Sequence, residues 1–342
     1  MDDAPVNNIR ESTREILKLN RRSHRNEVSD LQRSIKDLRV SPENIATIVY
    51  NLKSKSHVTV ENLQILKNAL IDDEKNIEVV LKCYGALRSL VRELTGNNVS
   101  KQCAAAGCCC NLALGDSRAC TAIAKASGSY LTVLLDNPTT ELAMTCAWTL
   151  GNLAGSGPKV CDILVAQGAV AKLCNMLQIH NENIQDAAAY ALLHFAYHME
   201  DDFKHEYLQK VLTALSKLEV NATTSRLSFT LSCHVDFKDN MPEELIDKML
   251  ATLKQTVKIH SEDCVQSQCN CELLYAIRTL ANMDVEVYDV ILNYFVQNNL
   301  EQALLEVLNK DSGAVNESLL WLLGNLYNYS PSNEFFTHLS TM

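Results

Sequence analysis

The chain has 342 residues, 47% apolar and 21% charged, with 11 Gly and 6 Pro; it has apolar side chains enough for a full core and is neither disordered nor fibrous. Aromatics are only 6% and 13 residues are Cys, so Leu, Ala, Val, Ile and Cys carry the apolar fraction, the usage of packed helices rather than sheets. The net charge of −10 is uneven: residues 1–40 hold nine Lys/Arg against seven Asp/Glu, leaving −12 on the remainder, which argues against nucleic acid as a partner of that acidic body.

At the N-terminus, residues 8–39 combine a basic cluster (Arg21, Arg22, His24, Arg25) with apolar residues at Ile16, Leu17, Val28, Leu31, Ile35 and Leu38. That spacing predicts a detachable amphipathic helix ahead of the main body. A solvated basic helix that merely covers the first structural unit is the bland alternative.

From residue 41 onward a period near forty residues organises the chain. Glycine-led segments begin at Gly85, Gly128 and Gly168, and each is followed by a longer Ala-rich segment, as in Cys103–Gly115, Cys146–Gly155 and Asp186–Ala196. Each unit therefore reads as a connector, a short amphipathic helix, a polar turn and a longer helix. The long helices are expected near residues 58–70, 100–114, 140–154, 181–197, 223–236, 268–282 and 315–328. They are apolar around most of their circumference, which requires a neighbour on each side, so the units stack as an all-α solenoid. Ser41-Pro42, Asn137-Pro138, Gly157-Pro158 and Ser330-Pro331 each place a capping residue before a proline at a helix start. Interior Gly107, Gly151 and Gly324 cost helix propensity and mark expected close contacts. Residues 41–330 thus form the repeat domain, about seven repeats, and 331–342 a tail or partial eighth.

In the third repeat Trp148 and Asn152 stand four residues apart, and Trp321 and Asn325 repeat the spacing in the seventh. Such a pair projects from one helix face. A carboxamide offers a donor and an acceptor, which match the backbone of an extended peptide; an indole accepts a Lys or Arg stem, with a cation–π attraction of about 0.5–2 kcal/mol. The same positions elsewhere read Gln64/Asn68, Gly107/Asn111, Tyr190/His194, Phe229/Cys233 and Tyr275/Thr279. For the tryptophans the alternative is packing between repeats, and for His194 a satisfied structural group.

The connector, the G-A-x-x-x-L-x-x-x-L helix and the A-W-x-L-G-N-L-A helix resemble armadillo repeats, specifically those of importin α, over about residues 43–330. The resemblance implies a right-handed α-solenoid whose groove holds Lys/Arg-rich peptides, with Trp148, Asn152, Asn111, Trp321, Asn325, Tyr190 and His194 along it. Where one importin α repeat carries an acidic side chain four residues beyond its Asn, this chain has Ser156, with Asp116 as a displaced acidic candidate. Residues 21–37 are similar to the importin-β-binding segment of the same proteins, which implies that Arg21, Arg22, Arg25, Arg33 and Lys36 engage importin β through charge-assisted hydrogen bonds.

The expected function is a non-enzymatic nuclear-import adaptor in cytoplasm and nucleus. Its partners are importin β and a cargo protein with a basic extended segment, without a cofactor, metal, nucleic acid or membrane. The alternative is an assembly hub or chaperone for one dedicated protein partner, without transport cycling. No catalytic motif is present. His260, Cys264, Cys269 and Cys271 lack a paired C-x-x-C frame, so zinc is not expected.

Overall fold

The structure, a computed structural model, describes residues 42–53, 58–73, 75–199, 203–261, 267–310 and 313–341. Arg21, Arg22, Arg25, Arg33 and Lys36 lie outside them. Every regular element among the described residues is helical, and the chain divides into two compact units, Met1–Met199 and Glu200–Met342.

Unit 1 opens with α1 (Pro42–Lys53) and α2 (Val60–Asp72). Three repeats follow, the first and third of three helices and the second of two: α3 (Lys75–Lys82), α4 (Ala86–Leu94) and α5 (Val99–Leu112); α6 (Ser117–Leu134) and α7 (Thr140–Ala154); α8 (Pro158–Ala166), α9 (Ala169–Met176) and α10 (Glu182–Met199). The long helices α2, α5, α7 and α10 pack in succession, and α1, α4, α6 and α9 form a second row behind them. Leu63, Leu66, Ala105, Cys108, Leu112, Cys146, Leu150 and Leu192 lie sealed in this core. Burial first, and then the field of Cys110, against a hydrogen bond with Ser127, push the Cys109 thiol up to about 12, so at neutral pH it stays protonated and packs as a small apolar side chain.

Unit 2 repeats the plan with α11 (His205–Leu215) and α12 (Ala222–Ser232), then α13 (Phe237–Asn240), α14 (Glu243–Ser261) and α15 (Ser267–Ala281). A 3₁₀ turn (Val285–Val287) leads to α16 (Tyr288–Gln297), α17 (Glu301–Asn309) and α18 (Gly313–Tyr329), and α19 (Glu334–Thr341) follows. Here α12, α15 and α18 are the stacked long helices, and α11, α14 and α17 the row behind. All seven long helices thus fall at the expected places, and the connectors, too short to show a period in sequence, are mostly helices of their own.

Local chemistry sets the boundaries. Asn98 and Asp116 cap α5 and α6 through Lys101 N (3.0 Å) and Ala119 N (2.8 Å), and Thr59/Asn62 and Asn221/Thr224 form reciprocal capping boxes. Gly85 and Gly168 sit at φ +88° and +81°, the left-handed conformation that turns a connector helix into the next helix and that favours glycine. Gly128 behaves differently: it lies inside the continuous α6, where a Cβ would collide with Gln167 and Leu164 of α8 and its loop, so connector and second helix are fused in that repeat. Pro158 starts α8 as expected. The helices after Pro138 and Pro331 start later, at Thr140 and Glu334, because Asn137 Oδ1 accepts from Thr139 N (2.9 Å) and Asn333 Oδ1 from Phe335 N (3.0 Å).

Two glycines separate close approach from open space. A Cβ on Gly151 would stand 2.9 Å from Ala191 Cα, a backbone atom of α10 that cannot step aside, whereas one on Gly324 meets nothing within 4 Å. The close contact expected at Gly324 is therefore absent, since that face of α18 is exposed. Gly151→Ala should destabilise the protein by about 1–3 kcal/mol through overpacking, in spite of its helix propensity. Gly324→Ala should stabilise it by about 0.5–1 kcal/mol. Urea unfolding of the two variants reads both signs.

Candidate functional site

The open face of α7 carries Glu141, Thr145 and Trp148, the indole half-buried, and the i, i+4, i+7 spacing keeps them in line. One helical turn further, Asn152 is only 3% exposed. Its Oδ1 accepts from Tyr190 Oη of α10 at 2.7 Å, and its Nδ2 reaches the Cys110 carbonyl of α5 at 3.4 Å. Asn111, 5% exposed, donates to Lys67 O of α2 at 2.8 Å. In unit 2, half-buried Asn325 donates to Ala281 O of α15 at 2.9 Å, and Asn282 donates to Ser232 O of α12 at 2.6 Å.

These bonds obey one rule. Each carboxamide reaches the carbonyl one residue before the ladder position of the preceding long helix: Lys67 before Asn68, Cys110 before Asn111, Ser232 before Cys233, Ala281 before Asn282. Cys110, Ser232 and Ala281 lie at or near the C-terminal ends of their helices, where carbonyls lack intrahelical donors. The side chain of the next repeat supplies the missing donor.

The rule also corrects the reading of repeat 6. Its ladder pair is Arg278/Asn282, not Tyr275/Thr279: Thr279 is fully buried and returns its hydroxyl to Tyr275 O at 2.7 Å. The sequence carried the signal, an Asn directly after the long helix, but the aromatic Tyr275 drew the alignment three residues off.

The remaining candidates fall into supporting roles. Tyr190 (5% exposed) and His194 (2%) are buried and meet edge to face with ring centroids 4.9 Å apart; the first holds Asn152. Ser156 gives its hydroxyl to Leu153 O at 2.7 Å, closing its own helix end. Asp116 is exposed but its carboxylate serves as the α6 cap. Trp321 is half-buried on α18. At repeat 2, where Gly107 replaces the indole, the methylenes of Lys67 fill the space: a Cβ on Gly107 would lie 2.6 Å from Lys67 Cδ.

Electrostatically the long-helix face of unit 1 is acidic. Glu61 and Glu141 are exposed and Asp186 half-buried, each on the ladder side of its helix by spacing. Burial, then the field of Glu141, pushes the Cys103 thiol up, which places the Glu141 carboxylate of repeat 3 beside the open face of repeat 2. No group of three or more His, Cys, Asp or Glu able to hold a metal ion occurs among the described residues; His260, Cys264 and Cys269 are outside those whose side chains are described. No described helix is long and apolar enough to cross a membrane.

No protein-family profile matches the chain. Importin subunit alpha-9 of Arabidopsis thaliana is 28% identical over 149 residues, 43% of this chain and 28% of that protein, so the match spans well under half of the relative's length. Among solved structures, an engineered protein superposes with a TM-score of 0.63 at 22% identity, over 82% of this chain and 68% of its own. A designed armadillo repeat protein superposes at 0.48 and 18% identity, over 82% of this chain and 99% of its own. The described residues form an all-helical array of stacked repeats with the same fold as the engineered protein, and over 149 residues the chain is similar in sequence to importin subunit alpha-9.

The carboxamides bear on stability first. Asn152→Ala strips the Tyr190 hydroxyl of its acceptor and the Cys110 carbonyl of a donor, and should cost about 1–3 kcal/mol. Adding Tyr190→Phe to that variant should cost far less than Tyr190→Phe alone, a coupling that a double-mutant cycle in urea measures directly.

Proposed function

We propose that the chain is a non-enzymatic import adaptor of importin-α type, in which the long-helix face of unit 1 binds an extended basic segment of a cargo protein. The observation that carries this reading is the half-buried Trp148 of α7, with Glu141 one helical stripe away and Asp186 on the next long helix. An indole wall accepts the stem of a Lys or Arg and the carboxylates attract its head. Trp321 and half-buried Asn325 offer the same pairing in unit 2, where Asn325 also bonds the half-buried Tyr288 phenol. Asn111 and Asn152 act mainly by holding their helices in register, and Tyr190 and His194 by packing behind the groove. Ser156 and Asp116 border it.

The N-terminal Arg21, Arg22, Arg25, Arg33 and Lys36 are proposed to bind importin β. The similarity to an importin subunit and the order of these cations support that role, and with it a cycle between cytoplasm and nucleus. One observation favours the second reading, an assembly hub or chaperone for a dedicated partner: Lys67 fills the subsite at Gly107 and two ladder carboxamides are turned inward, so less of the groove is free to exchange many cargoes.

Two measurements on the full chain test this. Trp148→Ala should weaken binding of a fluorescent oligolysine peptide about 3- to 30-fold by anisotropy, the span of one cation–π contact. Capture of importin β should be lost when Arg21, Arg22 and Arg25 are all replaced by Ala. Capture that survives the triple change, or its absence in the unaltered protein, leaves the hub.

A further inference from the structure

In six of the seven long helices the residue just before the ladder position carries no charge: Cys110, Gly151, Leu193, Ser232, Ala281 and Gly324. In the first long helix, α2, that residue is the half-buried Lys67. The next helix departs from the pattern in the opposite sense. Repeat 2 has Gly107 where repeats 3 and 7 carry Trp148 and Trp321, whose counterparts on the preceding long helix are the small Cys110 and Ala281. A large side chain is thus matched with a small one across each of these pairs, and between repeats 1 and 2 the order is inverted. The volume comes from the preceding helix, and it brings a positive charge.

Backbone and side chain of Lys67 both engage α5. The carbonyl accepts from Asn111 Nδ2 at 2.8 Å. The stem lies over the buried Gly107, where a Cβ would stand 2.6 Å from Cδ, 3.3 Å from Cγ and 3.9 Å from Cε. Burial, then the field of Cys109, push the buried Cys108 thiol up, and the Lys67 ammonium pulls it part of the way back, so the charge also stays close to α5. Among the described residues that ammonium enters no ion pair. Packing of an alkyl stem over glycine, rather than a carboxylate, keeps the side chain in this place.

We infer that Lys67 is a specificity-determining residue of the unit 1 groove, whose stem occupies the repeat 2 subsite and whose ammonium turns a second cation away from it. The inference rests on the basic-peptide reading of unit 1 and refines it. A stem already lying over Gly107 leaves no surface there for the stem of an incoming Lys or Arg. Like charges at contact range repel, and more strongly at a half-buried position than in bulk water. A bound basic segment is therefore read at repeat 3, on Trp148, and presents a neutral or acidic residue over repeat 2.

Anisotropy of a fluorescent ten-residue oligolysine on the full chain tests it. Lys67→Ala clears stem and charge together and should tighten binding at least about fivefold. Lys67→Met keeps a stem and drops the charge, so its gain should be smaller. Lys125→Ala removes one exposed charge from α6, in the row behind; it changes the net charge equally and should leave affinity within twofold. A cooperative urea transition in Lys67→Ala confirms that the fold is intact. Oligolysine that binds and is weakened by Trp148→Ala, yet stays within twofold in Lys67→Ala, overturns this inference and leaves the groove reading standing. A gain as large in Lys67→Met or in Lys125→Ala as in Lys67→Ala also overturns it, because the stem over Gly107 would then exclude nothing. Binding to neither the unaltered protein nor Lys67→Ala overturns both readings.

Discussion

A long helix that is buried on nearly all sides needs a donor for each carbonyl left over at its C-terminal end, because water cannot reach it there. In this chain the donor comes from the next repeat. Asn152 serves Cys110 O, Asn282 serves Ser232 O and Asn325 serves Ala281 O. Each such bond fixes how far one long helix slides along its neighbour, and small residues then let the pair close, as Gly151 does against Ala191. Any repeat that keeps this bond keeps the stack in register, whatever side chain stands one turn earlier. That freedom is what lets the earlier position vary from Gly107 through Trp148 and Trp321 to Arg278 without loss of the fold.

The architecture was legible in the sequence because it depends on features that repeat. Ala- and Leu-rich helices apolar all round demand neighbours on both sides, and their recurrence at a near-constant interval leads them to stack in succession within each unit. The short connector helices did not announce themselves, since one or two turns give no usable period. Gly128 read as a turn because it resembled Gly85 and Gly168, yet it sits within α6: the other two adopt positive φ, whereas Gly128 is required by the nearness of Gln167 and Leu164. Glycine marks both situations, and sequence alone does not separate them.

The site was legible in part. Spacing placed Trp148 and Asn152 on one helix face, and that placement holds. It did not say that the neighbouring helix shares the same face one turn further along, so that the indole remains half open while the carboxamide is 3% exposed. Repeat 6 was misaligned because a basic side chain in the indole place does not look like a member of the series. The Asn directly after the long helix was visible in the sequence, but the donor-to-carbonyl rule, which needs coordinates, is what decides for Asn282 over Thr279 and through it for Arg278.

Ladder and groove can therefore evolve on separate schedules. The carboxamide bonds are internal, and changing one costs folding stability; the residue four positions earlier takes no part in them and ranges from the half-buried Trp148 and Trp321 to Arg278, 2% exposed. With the first kept, the second can pass from the indole of Trp148 to the guanidinium of Arg278, a change of one unit charge, and at about 4 Å two unit charges interact by roughly 1 kcal/mol in water and about 4 kcal/mol at a protein surface. A difference of that size outweighs the 0.5–2 kcal/mol or so of a single cation–π contact. For the basic-peptide reading proposed for unit 1, the charge at the indole position therefore weighs at least as much as the number of surviving Trp/Asn pairs.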